Sequence, residues 1–278
     1  MIGFLIGAGA VSLFALPVYA YAIFPRRSKK FDLPVNTGYA HRGFWDESAP
    51  ENSMAAFRRA IDRGFCIECD VHLTSDKIPV VFHDDTLLRM CQDNRKIEEC
   101  TFDELSALRL LSTDEKIPRF SELLECVDGK VPLLVELKGE SATNTELCDV
   151  IAPMLDAYRG ELVVESFNPI LLGRMKKIRP DIIRGQLVTA LNRRGYSGSR
   201  VRNFVLSALL TNCISRPDFI AYDLEYPNSV SLFVATRMFG AKRCVWTVRN
   251  IEQYRKFISK GDCPIFDSFD PKGENENA

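Results

Sequence analysis

The stretch Cys66-Ile67-Glu68-Cys69-Asp70-Val71-His72 has the alternation of a β-strand that carries two acids on one face. Successive side chains of an extended chain point to opposite sides, so Cys66, Glu68 and Asp70 share one face and Ile67, Cys69 and Val71 the other. Carboxylates about 7 Å apart along one strand are costly to bury in an apolar core. Holding a cation would account for them. A second strand of this kind is Val135-Glu136-Leu137-Lys138, where Glu136 and Lys138 share a face. Two of the three histidines, His41 and His83, sit at the ends of other extended runs. All of these groups are expected to meet at one rim. His72 has the parity of Glu68 and Asp70 but falls past the expected strand end, which makes it a weak site candidate.

Outward from this stretch, short β-like runs alternate with amphipathic helical ones. The eight expected strands are 37–41, 65–71, 131–137, 161–165, 182–188, 219–223, 243–248 and 264–266. Asn52 or Ser53 can cap a helix that Gly64 ends. Pro79 argues against a central place for Ile78 to Phe82, which read instead as a hairpin arm at the mouth. Strands and helices in this alternation predict a TIM (β/α)₈ barrel over 37–271, with a small insertion at 84–117 after strand 2. The alternative, an open doubly wound sheet, would want a Gly-rich phosphate loop after the first strand, and Gly43 alone does not supply one.

With 278 residues, the chain has room for one large domain plus an appendage, and at 46% hydrophobic it can build a full core. A formal net charge of -1 argues against a general nucleic-acid binder. The 9 cysteines are odd in number and scattered, a pattern of buried reduced thiols rather than a disulfide framework. Cys66 and Cys69 imitate a C-x-x-C metal pair, but strand parity puts them on opposite faces.

Residues 1–24 contain no charged side chain, and Arg26, Arg27, Lys29 and Lys30 follow at once. As a helix that run is about 36 Å long, enough to cross a bilayer with some tilt. A transmembrane anchor is therefore expected at 1–25, a basic juxtamembrane linker at 26–36, and a polar tail at 272–278. The positive flank places the body on the cytoplasmic side. The rival is a cleaved signal peptide ending near Ala20-Tyr21-Ala22, which would make the protein secreted. That segment would want a basic start and a shorter apolar core.

Barrel active sites lie at the C-terminal ends of strands, where His41, Glu68, Asp70 and Glu136 are all expected. Two like charges 4 Å apart cost about 4 kcal/mol at an effective dielectric of 20. One divalent cation removes that cost, and all-oxygen ligands suit Ca²⁺ or Mg²⁺ better than zinc. Two histidines beside a metal can act as general acid and base near neutral pH. Arg42 and Lys138 add fixed positive charge suited to a phosphate.

The ordered set His41-Arg42-Gly43, Pro50-Glu51-Asn52-Ser53, Glu68-x-Asp70, Pro79-Val80-Val81-Phe82-His83-Asp84 and Glu136-Leu137-Lys138 resembles the glycerophosphodiester phosphodiesterase family. Ser166-Phe167-Asn168-Pro169 and Val245-Trp246-Thr247-Val248 are further echoes, and the likeness runs from about 37 to 271. The resemblance implies a TIM barrel with Glu68, Asp70 and Glu136 as metal ligands and His41 and His83 as the acid–base pair. It also implies phosphate binding by Arg42 and Lys138, support of the first loop by Glu51 and Asn52, and Trp246 on the substrate side. In the family the glycerol 2-hydroxyl is thought to attack phosphorus, giving a cyclic phosphate that water opens. One departure stands out. The family usually ends on Ile-Ile-Thr-Asp and then Pro, but here the chain reads Pro264-Ile265-Phe266-Asp267-Ser268-Phe269-Asp270-Pro271, so Asp267 receives no role.

Three functions follow as expectations. The first is a metal-dependent hydrolase releasing sn-glycerol 3-phosphate and an alcohol from glycerophosphodiesters. The second keeps the chemistry and takes lysophospholipids, in the manner of a lysophospholipase D. The third is an anchored, non-enzymatic module that binds phosphorylated head groups.

Overall fold

The computed structural model describes residues 15–26, 32–139, 141, 143–267 and 269–273. Nine strands are found among them: β1 Tyr39–Ala40, β2 Cys66–Leu73, β3 Pro79–Val81, β4 Leu133–Leu137, β5 Leu162–Ser166, β6 Arg184–Val188, β7 Phe219–Asp223, β8 Lys242–Val248 and β9 Cys263–Phe266. The helices, in order, are α1 over residues 15–23, α2 Met54–Asp62, α3 Leu88–Cys91, α4 Phe102–Ser106, α5 Phe120–Val127 and α6 Glu146–Ala157. They continue with α7 Pro169–Ile178, α8 Arg200–Ser207, α9 Asn212–Ser215, α10 Val230–Phe233 and α11 Ile251–Ile258. A single π-helical turn, Val234–Met238, extends α10.

All strands but β3 pair in parallel, and β1 bonds both β9 and β2, so eight of them close into a barrel. That is the TIM barrel expected from the alternation of elements. Its interior is filled by alternate residues of the strands, among them Tyr39, Leu134, Val163, Phe219 and Ile265. The intervening residues, such as Ile67, Val135, Val164 and Ile220, pack outward against the helices. Cys66 lies in the interior cluster and Cys69 in the outer one, as parity requires. All nine cysteines are free. Gly185 is needed where it stands, because a Cβ there would lie 2.2 Å from the Phe219 ring.

β3 pairs antiparallel with the last residues of β2, Val71 to Leu73, as a hairpin arm at the rim. A ladder donor is missing at Pro79, and this edge position tolerates that. The insertion that follows has a small core of its own, built from Phe82, Leu87, Met90, Ile97, Leu105 and Leu110. In α2 the cap is Ser53, whose Oγ accepts the Ala56 amide. Asn52 is thereby released for other work.

The N-terminal expectation extends beyond the described residues. Residues 1–14 of the expected anchor, 27–31 of the expected linker and 274–278 of the polar tail lie outside the described residues. No helix among the described residues is long and apolar enough to cross a membrane. Residues 15–26 instead pack along the barrel. Tyr19 Oη meets Ser231 Oγ at 2.9 Å, Arg216 bonds the carbonyls of Tyr21 and Phe24, and Ile23 is fully buried. The Arg26 amide bonds Pro217 just before β7. Leu33 and Val35, expected in a linker, close the floor of the barrel by joining its interior cluster. The apolar side chains that looked like lipid-facing residues are in part a docking face for α9 and α10.

If α1 belongs to the barrel, Ile23→Ala should destabilise the fold by about 2–5 kcal/mol, as buried large-to-small changes do. Urea unfolding of the two forms measures this, and unchanged midpoints would mean that α1 is only loosely attached.

Candidate active site

Glu68 and Asp70 stand on β2, Glu136 on β4, and all three point into the mouth of the barrel. The register pairs Asp70 with Glu136, so adjacent strands bring them to one level. One carboxylate oxygen from each lies within 4.8 Å of the others, and all three side chains are buried. The donor set fits a hard divalent cation: oxygen only, converging and anionic.

Electrostatics around the three acids is uneven. Burial, then the charges of Asp70 and other acids, pushes the Glu68 carboxyl well above its ordinary range. Glu136 is also raised, chiefly by burial. Burial works against Asp70 too, but Lys138, His83, Arg42 and the Asn52 amide outweigh it and hold its pKa well below the usual value. Lys138 Nζ sits 2.9 Å from Asp70 and 2.8 Å from Glu136. The Arg42 guanidinium, 3.5 Å from Asp70, adds a second positive charge beside the acids.

The loop after β1 is shaped around these ligands. The Arg42 amide donates to Glu68 Oε2 at 2.9 Å, and Asn52 Nδ2 donates to Asp70 Oδ2 at 2.9 Å. Both residues are left-handed, with φ of 60° and 57°. Side chains rarely adopt that backbone, and it costs of order 1–3 kcal/mol at each position. The strain aims one backbone donor and one side-chain donor at two ligand oxygens. Arg42 also reaches Glu51 at 2.8 Å and Asp70 at 3.5 Å. Glu51 in turn binds Arg89.

Each of the two candidate acid–base histidines has a carboxylate on Nδ1. His41 Nδ1 lies 3.3 Å from Asp267 Oδ2, and His83 Nδ1 lies 2.6 Å from Asp84 Oδ1. Asp84 is gripped by Arg89, so a chain of contacts runs from His83 through Asp84, Arg89 and Glu51 to Arg42. With Nδ1 so engaged, Nε2 of each ring is left for a ligand. Burial and the neighbouring Arg42 lower His41 from 6.5 to about 4, so it is neutral at pH 7.

The structure thus gathers His41, Arg42, Glu51, Asn52, Glu68, Asp70, His83, Glu136 and Lys138 at one end of the barrel. Trp246 stands a little apart. Its Nε1 donates to the Ala221 carbonyl, and its ring meets Phe167 edge-on at 5.6 Å. Trp246 thus touches the substrate side only through Phe167, which lines the adjoining cleft of about 470 Å³. His72 is buried and contacts the His83 carbonyl, which makes it a support for the neighbouring arm.

Three residues were missed or left unassigned. Asp267 keeps a carboxylate on His41 although the terminal motif is altered. Arg89 comes from the insertion and carries no motif that would flag it. Glu165 on β5 is the register partner of Glu136, and its Oε2 is buried without a hydrogen-bond partner. Its signal was present: Glu165 has the parity of Val163, an inward residue of the same strand.

His41 should titrate near pH 4 in a histidine NMR experiment, as should His72, which burial and Lys138 also lower to about 4. Asp267→Asn should move the His41 midpoint lower still, because the carboxylate favours the imidazolium. The sign for stability follows from the same shifts. The unfolded chain takes up these protons near 6.5, so stability should fall as pH drops from 6.5 toward 4. A His41 midpoint at or above 6.5 would contradict the buried, neutral ring.

Comparison with known proteins agrees with this geometry. The family model for the glycerophosphoryl diester phosphodiesterase family matches residues 41–270. Glycerophosphodiester phosphodiesterase 1 of Homo sapiens is 32% identical over 168 residues, 57% of this chain and 49% of that protein. The chain therefore spans about half the length of this human relative. A glycerophosphodiester phosphodiesterase of Caldanaerobacter subterraneus is 27% identical, covering 80% of this chain and 89% of the relative. Among solved structures, an Oleispira antarctica phosphodiesterase in complex with the product sn-glycerol-3-phosphate superposes with a TM-score of 0.70 at 25% identity, covering 92% of this chain and 98% of the other. The ordered motifs, the closed barrel and the match over 41–270 place this chain in the glycerophosphoryl diester phosphodiesterase family.

Proposed function

We propose that the protein is a metal-dependent hydrolase that cleaves glycerophosphodiesters to sn-glycerol 3-phosphate and an alcohol. The carrying observation is the meeting of Glu68, Asp70 and Glu136 at the end of the barrel that also holds His41 and His83. A divalent cation held by these three acids, Ca²⁺ or Mg²⁺, would neutralise them and polarise a phosphoryl oxygen. Arg42 and Lys138 bind the remaining phosphate charge. His41, neutral at pH 7, accepts at Nε2 the proton of the glycerol 2-hydroxyl as that oxygen attacks phosphorus, while Asp267 orients its ring; water then opens the resulting cyclic phosphate to sn-glycerol 3-phosphate. His83 lines the cleft where the leaving alcohol would lie, and it donates a proton from Nε2 to the departing oxygen. The product named for the Oleispira antarctica relative is the one this cleavage yields. The proposed location is the cytoplasmic side of a membrane, supported by the basic residues at 26–30 and nine free thiols.

A second substrate class has its own support. Phe167, Ile170, Leu187, Leu191, Tyr196 and Leu206 line the cleft beside His83, a wall suited to an acyl chain. Lysophospholipids are therefore the alternative substrate, and one human relative is named a lysophospholipase D.

The purified protein should turn over glycerophosphocholine or glycerophosphoethanolamine with a divalent metal and lose turnover with a chelator. His83→Ala should lower kcat/KM about 10²–10⁴-fold, the usual contribution of a general acid or base. Equal rates for wild type and His83→Ala would refute the assignment. Comparing rates on lysophosphatidylcholine and on its deacylated form decides between the two substrate classes.

A further inference from the structure

The segment Asn192-Arg193-Arg194-Gly195-Tyr196-Ser197-Gly198-Ser199-Arg200-Val201-Arg202 follows β6 and is exposed throughout. It holds four arginines and no acid. Arg194 is held by Asp223 and Glu225, while Arg193, Arg200 and Arg202 form no ion pair among the described residues. Between them the segment and the start of α8 present large apolar groups to solvent: Tyr196 is 51% exposed, Val201 73% and Phe204 61%. The segment is also well shaped: Asn192 bonds the Arg200 carbonyl, Asn203 bonds the Tyr196 carbonyl, and Ser199 caps α8.

Its position matters as much as its composition. Tyr196, Arg202 and Leu206 line the cleft next to His83, so the arginine-rich segment is one wall of the catalytic mouth. The neighbouring loop, after β7, leads into α10, which exposes Val230 at 73% and Phe233 at 60%. α1 runs beside α10 from the mouth toward the floor, because Tyr19 meets Ser231 near the start of α10 while Arg26 meets Pro217 below β7. Leu16 and Val18, each about two thirds exposed, are therefore at the mouth end of α1.

We propose that this rim, residues 192–204 together with the first turn of α10, is a docking lip for an anionic lipid surface. Tyr196, Val201 and Phe204 enter the interface, and Arg193 and Arg200 meet the acidic head groups. Apolar groups ringed by arginines with no acid among them match such a surface in both chemistry and charge. The barrel then stands with its open end against the bilayer. Binding is independent of turnover, so it stands or falls separately from the proposed reaction.

The test uses the full chain and vesicles of phosphatidylcholine, with or without phosphatidylserine, some carrying brominated acyl chains. Trp fluorescence of a Phe204→Trp variant is compared with wild type and with Lys260→Trp, which lies between α11 and the start of β9 at the floor end of the barrel. Quenching by bromolipid at position 204, stronger with phosphatidylserine and absent at 260, is the expected result. Arg193→Ala and Arg200→Ala should each weaken binding to the anionic vesicles about fivefold, the effect of one juxtamembrane basic residue. Vesicle binding without quenching at 204, equal quenching at 204 and 260, or unchanged affinity in the arginine variants would each overturn the proposal.

Discussion

Three buried carboxylates crowded within 4.8 Å set the terms for everything at the mouth of this barrel. At 4 Å and an effective dielectric of 20, each like-charged pair opposes folding by about 4 kcal/mol. The chain cannot leave such a cluster uncompensated. It answers with Lys138 between two of the acids and with Arg42 beside them. Its backbone answers as well, since Arg42 and Asn52 take up left-handed conformations in order to donate to Glu68 and Asp70. Even the cap of α2 conforms to this demand: Ser53 takes the capping role, so the Asn52 side chain can turn inward.

The same crowding makes the site asymmetric. His41 is embedded beside Arg42 and loses its proton readily, whereas His83 stands on the arm at the open cleft. Both rings are aimed by a carboxylate on Nδ1, but the two carboxylates reach them by different routes. Asp267 comes from the last barrel strand. Asp84 follows His83 in sequence and is steadied by Arg89 of the insertion. One barrel end thus holds an imidazole that is neutral by burial and a second imidazole that lines the open cleft.

Much of this was legible in the sequence, because the period of two in a strand is rigid. Glu68, Asp70 and Glu136 could be assigned to one face from parity alone, and the register Asp70↔Glu136 then had to bring them together. Pro79 likewise marked the hairpin arm. What escaped depends on contacts between distant parts of the chain. Arg89 reaches Glu51 across 38 positions, and Asp267 reaches His41 across 226, distances at which local pattern carries no information. Asp267 was further hidden by a displaced motif. The contacts of the N-terminal run were hidden for a related reason: hydropathy reports how apolar a segment is, whereas the bonds of residues 19–24 to Ser231, Asn212 and Arg216 join distant parts of the chain.

The insertion after β3 carries its own small apolar core, separate from the interior and the outer layer of the barrel. His83, Asp84 and Arg89 hang from that satellite, whereas the acid cluster and His41 hang from the barrel proper. The two halves of the machinery therefore rest on different foundations. A substitution packed under Leu87 or Met90 would tilt the arm and its imidazole while leaving the acidic nest in place. Such a division lets natural variation move His83 at the cleft without disturbing the three carboxylates on the barrel strands.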